Sequence, residues 1–507
     1  MHVSRLRVDE SAEGLLALMS RPGIRAVSLI ERMTPAMDLA AQICTVPHFK
    51  TVTGLTGKGV LIGIVDSGID PSHPMFAGRI AAFWDQTVPG TGAGAVPYGE
   101  LYTGAAILNG GSDVTGHGTH VAGIAAGADG SYGGIAEGAM LVVVKSTLED
   151  TDVEAALRWL KDFALESKWP MVVNLSFEGR ADPHDGSGSV CETIDEVSGE
   201  GFVVCCASGN SGGEASHAEV VLRVGETANI HFRVSDAGRS RVTIKAWANP
   251  DAVLQVAVTD PSRMNWSPQI AAGPQPVIVS HAMHGADLDL AGPKPEPAFG
   301  GAVAFLLSLR ARAGMKADGE WIVHLTNPGS RDEEVHLWST PEPDISFSDG
   351  FVTDRVKIAA PGAAQSAITV GAFVTRIGWL DHTSALRIDP RSRRFQPALF
   401  SAPGPLRSSN AKPDLVAPGA QICSARASAA AVPKGYATSG LHRVMAGTSM
   451  ATPFVAGIVA LMLEESHNLA PAQVKQHLRR ICSIPGASSG SFDNRWGYGL
   501  PDLALLF

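Results

Sequence analysis

Three polar residues lie in glycine-bearing segments and together supply a carboxylate, an imidazole and a hydroxyl. They are Asp66 in DSGID, His117 in HGTHVAG and Ser449 in GTSMATP. Taken singly, each has an ordinary structural explanation, since an Asp after a strand often stabilises a turn and a Ser at a helix start is often an N-cap. The combination of all three in one chain makes a chemical explanation worth testing.

The chemistry that this set can perform is nucleophilic catalysis. A serine hydroxyl is a weak nucleophile until a neutral imidazole accepts its proton, and a carboxylate fixes the imidazole tautomer and stabilises the imidazolium that forms. The glycines that flank His117 and precede Ser449 allow a substrate backbone to approach closely. The three residues therefore predict a catalytic triad.

The elements around these residues predict a parallel sheet. Short and nearly continuous apolar runs alternate with helical patterns, which is typical of strands buried between two layers of helices. Catalytic groups are then expected at the carboxyl ends of the strands. The predicted strands are 60–66, 140–145, 171–176 and 202–210, and the predicted helices between them are 117–127 and 152–168.

A different pattern occupies residues 214–355. Segments such as ANIHFRV, RVTIKAW and WIVHLTN alternate apolar and polar residues with period two and are separated by turn residues. This pattern is typical of an antiparallel sandwich or barrel. The α/β style then returns and ends with the apolar helix 449–466. The sequence therefore predicts an α/β domain that an all-β domain interrupts.

The blocks DSGID, HGTHVAG and GTSMATP, in this order, resemble the signature segments of the subtilisin-like serine peptidases. The resemblance implies a serine endopeptidase in which Asp66 is the orienting acid, His117 the general base and Ser449 the nucleophile. The segment ASGNSG resembles the oxyanion segment of the family. It implies that Asn210 and the backbone N–H of Ser449 bind the oxyanion.

The segment NLSFEG resembles the family's substrate-binding segment. By this resemblance Ser176, Phe177 and Glu178 form one wall of the P1 pocket, and Ala207 and Gly209 lie opposite. Glu178 stands where the family usually has a glycine. Its carboxylate either fills the pocket, selects a basic P1 side chain or remains a solvated charge at the rim.

Residues 1–46 show a β-α-β pattern too small to be stable alone. They resemble a short form of the family's inhibitory and chaperone propeptides, which implies that the propeptide binds the active-site cleft and that the enzyme cuts itself between about Arg32 and Val46. A permanent N-terminal extension is the alternative. The peptidase domain would then comprise residues 47–213 and 356–507. The insert resembles the jelly-roll domain of the clostridial spore-germination subtilases.

Composition limits the remaining possibilities. The net charge of −10 disfavours a nucleic-acid partner. The chain shows neither a secretory signal nor a membrane-spanning apolar run, so a cytoplasmic protein is expected. The six cysteines lack zinc spacing and are read as free thiols, with Cys205 and Cys206 on opposite faces of a strand. No cofactor or metal is expected, because the segment after DSGIDPSHP and the short loop 127–134 lack the family's usual calcium ligands.

Two other functions compete with a peptidase. A catalytically silent regulatory protease would bind a partner through its cleft and insert, and the intact triad argues against it. A serine hydrolase of another kind is the second rival. It lacks support, because no Gly-x-Ser-x-Gly segment surrounds Ser449.

Overall fold

An eight-stranded sheet forms the centre of the molecule in this computed structural model, which describes residues 36–110, 112–235, 241–273, 278–340 and 344–506. The strand order is β21-β18-β6-β5-β1-β4-β2-β3. All neighbouring pairs are parallel except β2 with β3, at one edge. The strands are β1 (Leu61–Asp66), β2 (Ile80–Asp85), β3 (Glu100–Thr103), β4 (Met140–Lys145), β5 (Met171–Leu175), β6 (Phe202–Ala207), β18 (Ile368–Phe373) and β21 (Leu415–Pro418).

Helices cover both faces of this sheet. Ile62 and Ile64 of β1 face a core shared with α3 (His117–Ala126) and α6 (Thr448–Glu465). Leu61 and Val65 face the other core, against α4 (Asp150–Ser167) and α5 (Ser189–Val197). Burial on both faces explains why β1 is apolar at almost every position. The predicted α/β fold is confirmed.

The described residues between 217 and 347 form the predicted all-β insert as two antiparallel sheets. Their inner faces share one core, and β8 alternates buried and exposed residues as expected for a strand with one solvated face. One sheet has the order β11-β10-β15-β8-β17 and the other β12-β13-β14-β9-β16-β7. The strands are β7 (His217–Leu222), β8 (Thr227–Val234), β9 (Arg241–Pro250), β10 (Gln255–Thr259), β11 (Ile270–Ala271), β12 (Ile278–Met283), β13 (Ala286–Glu296), β14 (Ala302–Ala311), β15 (Gly319–Thr326), β16 (Glu333–Thr340) and β17 (Ile345–Phe347).

Two short helices, α1 (Ala36–Ile43) and α2 (Val46–Thr53), precede β1. Ala40 and Cys44 are fully buried in the core that includes α3 and α6. The chain therefore joins the α/β domain before residue 46, where the sequence placed the end of a separate unit. The predicted β-α-β pattern lies outside the described residues.

Smaller elements complete the α/β part. They are β19 (Gly378–Leu380), β20 (Leu386–Ile388), β22 (Ile422–Ala425), β23 (His442–Met445), α7 (Pro471–Ile481), β24 (Cys482–Ser483) and β25 (Leu500–Pro501). All six cysteines are buried free thiols, and Cys205 and Cys206 face different cores, as predicted. Among the described helices, none combines the length and the apolar character that crossing a membrane requires.

Candidate active site

Asp66 and His117 are in direct contact at the carboxyl edge of the sheet. Asp66 ends β1, and His117 is the first residue of α3. The ring Nδ1 of His117 lies 2.8 Å from Oδ1 and 3.0 Å from Oδ2 of Asp66. The backbone N–H of Ser67 donates to Oδ1 at 2.7 Å. A carboxylate on Nδ1 keeps the proton there, so Nε2 is left as the basic nitrogen.

Burial and nearby charges together determine the pKa of His117. Burial favours the neutral imidazole, but the charge of Asp66 and its hydrogen bond outweigh that effect, and Asp113 adds to them. Arg443 acts in the opposite direction. The net result is a pKa of His117 raised above its ordinary value, which makes the ring a stronger proton acceptor.

A buried carboxylate that the sequence reasoning missed holds the start of the catalytic helix. Asp113 accepts hydrogen bonds from Gly116 N at 2.8 Å, Thr119 N at 2.8 Å and Ser67 Oγ at 2.9 Å. Ser67 Oγ in turn accepts from Gly118 N at 3.0 Å. Because α3 begins at His117, these bonds fix the helix end that carries the base. The visible signal was an acidic residue just before a predicted helix start.

Ser449 lies in the first turn of α6 and is almost fully buried. Its Oγ donates to the carbonyl oxygen of Ser176 at 2.9 Å, and Ser176 Oγ donates to the carbonyl oxygen of Ser449 at 3.0 Å. Helices α3 and α6 pack against each other, so the base and the nucleophile lie on adjoining helices. In this arrangement the hydroxyl hydrogen bond goes to Ser176.

The side chain of Asn210 is oriented by the start of the same helix. Its Oδ1 accepts from Thr448 N at 2.9 Å and from Thr448 Oγ1 at 3.1 Å. With Oδ1 engaged in this way, the Nδ2 group is the end that remains to donate. The N-terminus of α6 adds the backbone N–H of Ser449 and a positive partial charge. This set of donors is suited to an oxyanion.

The predicted substrate-binding segments follow two neighbouring strands. Leu175 of β5 is the register partner of Cys206 of β6, so the residues after the two strands run side by side. The chain continues as Ser176, Phe177 and Glu178 after β5, and passes Ala207 and Gly209 at and after the end of β6.

Glu178 contacts the opposite segment. Its Oε1 accepts from Arg180 Nη2 at 2.7 Å and from Asn210 N at 3.3 Å. A Cβ built on Gly209 would lie 1.9 Å from Glu178 Oε2, so the carboxylate lies directly against that glycine. The pairing with Arg180 could not be read from the sequence.

Within the described residues, no group of three or more His, Cys, Asp or Glu side chains is arranged to hold a metal ion. In the loop 127–134, Asp129 accepts from the backbone N–H groups of Ser131 and Tyr132. The expectation about calcium stays a prediction.

Comparison with known proteins identifies the family of the chain. The model of the Subtilase family of peptidases matches residues 57–279 and 346–499. The chain is 37% identical to the serine protease AprX of Bacillus subtilis over 129 residues, which cover 25% of the chain and 27% of AprX. It is 25% identical to the PIII-type proteinase of Lactococcus lactis over 493 residues, which cover 88% of the chain and 24% of that protein.

Among solved structures, the Clostridium perfringens CspB protease matches 93% of the chain and 98% of its own length, with a TM-score of 0.75 and 23% identity. This likeness concerns the fold. The alignments with AprX and the lactococcal proteinase cover about a quarter of those proteins. The family match, by contrast, spans both peptidase segments and includes Asp66, His117 and Ser449. On this evidence the chain belongs to the subtilase family.

Proposed function

We propose that the protein is a serine endopeptidase that cleaves peptide bonds through an acyl-enzyme intermediate. The observation that carries the proposal is the contact of Asp66 with Nδ1 of His117, which leaves Nε2 as the base beside the helix that bears Ser449. The orientation of Asn210 by Thr448 supports it, because acyl transfer needs donors that bind the oxyanion. Membership of the subtilase family supports it further.

In the first half-reaction His117 Nε2 accepts the proton of Ser449 Oγ as the oxygen attacks the peptide carbonyl carbon. The negative charge that develops on the carbonyl oxygen is bound by Asn210 Nδ2 and by the backbone N–H of Ser449. Asp66 stabilises the imidazolium. The ring then protonates the leaving nitrogen, the C–N bond breaks and an ester on Ser449 remains.

The second half-reaction repeats these roles with water. His117 Nε2 accepts a proton from the water as its oxygen attacks the ester carbon, and the same donors bind the oxyanion. When the C–O bond to Ser449 breaks, the ring returns its proton to Oγ. The products are a carboxylic acid and the free enzyme.

A fluorophosphonate probe and a peptide substrate test this proposal together. The probe is expected to label the protein, and Ser449→Ala is expected to abolish both labelling and peptide hydrolysis. Ser466→Ala is the matched control, since Ser466 is exposed at the other end of the same helix α6. Labelling that persists in Ser449→Ala, or labelling without any peptide hydrolysis by the wild type, would contradict the proposal.

A catalytically silent binding protein is the second candidate. The observation that favours it is the hydrogen bond from Ser449 Oγ to Ser176, because a serine held there does not donate to His117. The same probe distinguishes the two candidates, since a silent protein with an unreactive Ser449 stays unlabelled.

The proposal includes a propeptide that the enzyme removes by its own activity. The burial of Ala40 and Cys44 supports a cut near the start of the predicted window, between Arg32 and Ala36, because a later cut would release a buried segment. Intact-mass measurement of the wild type and Ser449→Ala is the test. A longer Ser449→Ala chain is expected, and equal masses would sink the idea of self-cleavage.

A further inference from the structure

The space where the P1 side chain must lie has an occupant that the proposed mechanism does not use. In the proposed reaction Ser449 Oγ would attack the carbonyl carbon while Asn210 binds the carbonyl oxygen. The P1 side chain is then directed between the two segments that follow β5 and β6, because Ser176 contacts Ser449 and Asn210 directly follows Gly209. The occupant of this gap sets the size and charge of the residue that the enzyme accepts.

The gap is occupied by the side chain of Glu178. The carboxylate lies against the Cα of Gly209, where an added Cβ would be 1.9 Å from Oε2 and 3.0 Å from Cδ. The side chain is only 15% exposed. A large P1 side chain would have to displace this carboxylate from its place.

Contacts on two sides hold the carboxylate in the gap. Arg180 donates to Oε1 through Nη2 at 2.7 Å and through Nε at 3.3 Å, and the Arg180 side chain is 22% exposed. The backbone N–H of Asn210 donates to the same oxygen at 3.3 Å. Displacement of Glu178 would therefore break an ion pair that is mostly shielded from water and remove a contact to the oxyanion residue.

The sequence left three roles open for Glu178, and the 15% exposure of its side chain removes that of a solvated charge at the rim. The ion pair with Arg180 decides between the other two. A cation at P1 would meet a carboxylate that Arg180 already neutralises, and it gains little unless it expels that guanidinium. Oε2 is already buried and has no hydrogen-bond partner among the described residues, so a bulky apolar side chain finds this space filled and must displace the carboxylate. A small side chain requires neither change.

We infer that the Glu178–Arg180 pair closes the P1 subsite and restricts the enzyme to small P1 residues, namely Gly, Ala and Ser. The inference rests on the proposed peptidase function and specifies its substrate class. Glu178 acts through its volume and by supporting Asn210 N, and it is not a receptor for a basic side chain.

Peptides that differ only at P1, with Ala, Leu or Arg, provide the test, alongside fluorophosphonate labelling of each variant. The wild type is expected to cleave after Ala with a kcat/KM about tenfold or more above that for Leu and Arg. Glu178→Gly should remove most of this preference against Leu. Glu178→Gln keeps the side-chain volume and should keep the preference for Ala over Leu, so it separates the effect of size from that of charge. It also tests the inference if Glu178→Gly does not fold. Glu192→Gln, an exposed change on α5, is the control.

Three results would overturn the inference. The first is a wild type that prefers Leu, and the second is one that prefers Arg and loses this preference in Glu178→Gln. The third is an unchanged Ala-to-Leu ratio in a folded Glu178→Gly. Because the probe is small, labelled protein with the wrong P1 preference refutes only the inference, whereas unlabelled wild type refutes the peptidase function and the inference with it.

Discussion

Ser176 and Ser449 exchange two hydrogen bonds, each hydroxyl donating to the backbone carbonyl oxygen of the other residue, at 3.0 and 2.9 Å. Ser176 Oγ also accepts from Asn174 Nδ2 at 2.9 Å. The first turn of α6 is thereby tied to the end of β5. The position of the Ser449 hydroxyl therefore depends on Ser176, which belongs to the predicted substrate-binding segment.

Replacing Ser176 tests this connection. Ser176→Ala removes the bond to the Ser449 carbonyl and leaves Asn174 Nδ2 without its acceptor, at a cost of about 1–3 kcal/mol in stability. We expect kcat to fall by about tenfold while KM changes little, because the helix start loses its support and the backbone that binds substrate remains. Steady-state kinetics and a thermal melt are the measurements.

The matched control is Ser208→Ala. Ser208 is equally buried after the neighbouring strand β6, but its hydroxyl has no hydrogen-bond partner among the described residues. That variant is expected to behave as wild type. An equal loss of kcat in both variants would show that any buried serine at this edge has the same effect.

Asn210 provides a second prediction. Asn210→Ala removes the donor that Thr448 orients, and kcat should fall by about 10²–10³, which corresponds to about 3–4 kcal/mol of transition-state stabilisation. KM should change little, because the donor binds charge that develops only in the transition state. Thr448→Ala is the control with a smaller expected loss, since the backbone N–H of Thr448 still holds Oδ1. A drop in kcat of less than about fivefold in Asn210→Ala would contradict the oxyanion role.

Short motifs at the ends of elements allowed candidate site residues to be proposed from the sequence. Asp66, His117 and Asn210 could be proposed because each is in a segment with glycines that follows a buried strand or starts a helix. The structure places Asp66 against His117, and the catalytic roles of the three residues stay predictions. The alternation of apolar and polar residues likewise predicted the all-β insert, because successive residues of a half-buried strand face the core and the solvent in turn.

Features that depend on contacts between distant segments could not be predicted in this way. The bond from Ser449 Oγ to Ser176 and the closing of Glu178 over Gly209 depend on side-chain rotamers and on the packing of separate loops. The burial of Ala40 depends on a core assembled from residues far along the chain. Local patterns carry no information about such contacts.

The pH dependence of activity gives a third prediction. Catalysis requires neutral His117, and its pKa is raised above the ordinary value of 6.5, so activity should be lost as the pH falls through a value above 6.5. Asp113→Asn removes a negative charge that contributes to the shift. The acid limb of kcat/KM should therefore move to lower pH, while kcat falls because the start of α3 is less firmly held.

Asp129→Asn is the matched control, because Asp129 also accepts backbone N–H bonds but lies beyond the other end of α3. Its acid limb should coincide with that of the wild type. The assignment would be refuted by an acid limb that stays in place in Asp113→Asn, or by one that moves equally in both variants.

A stack of buried rings joins the insert to the peptidase part. His184, in the loop before α5, lies 4.0 Å from the ring of Trp338 of β16, and the two planes differ by 4°. His217 of β7 stacks on the same tryptophan, and its Nε2 lies 3.1 Å from Nδ1 of His336. The three histidines are at most 3% exposed, so a charge on any of them would be poorly solvated.

Burial determines the pKa values in this stack. It lowers the pKa of His184 and of His336 to about 3, and it lowers that of His217 well below the usual value. The neighbouring positive charges of Arg407 and Arg355 contribute to the shift of His336. Burial also raises the pKa of Asp182 to about 7. Oδ1 of this residue lies 4.0 Å from Nε2 of His184.

The sign of the stability change follows from proton binding. Between pH 6.5 and about 3 these histidines are protonated in the unfolded chain but not in the folded chain. Their contribution to the free energy of unfolding is therefore complete above pH 6.5 and is lost on acidification. Asp182 works in the opposite direction between 3.8 and about 7, because there the folded state holds the extra proton. With three groups against one, the net effect is a loss of stability in acid, by about 1.4 kcal/mol per net proton and pH unit.

His184→Phe tests this account. Phenylalanine can still stack on Trp338 but binds no proton, so the fall in melting temperature between pH 7.5 and pH 5 should be smaller than in the wild type. His281→Phe is the control, because His281 is exposed on β12 and its replacement leaves the stack intact. If His184→Phe shows the same pH dependence of melting as the wild type, the stacked histidines do not cause the acid lability. If it flattens the dependence and His281→Phe does not, the contact between insert and peptidase is an acid-sensitive part of the fold.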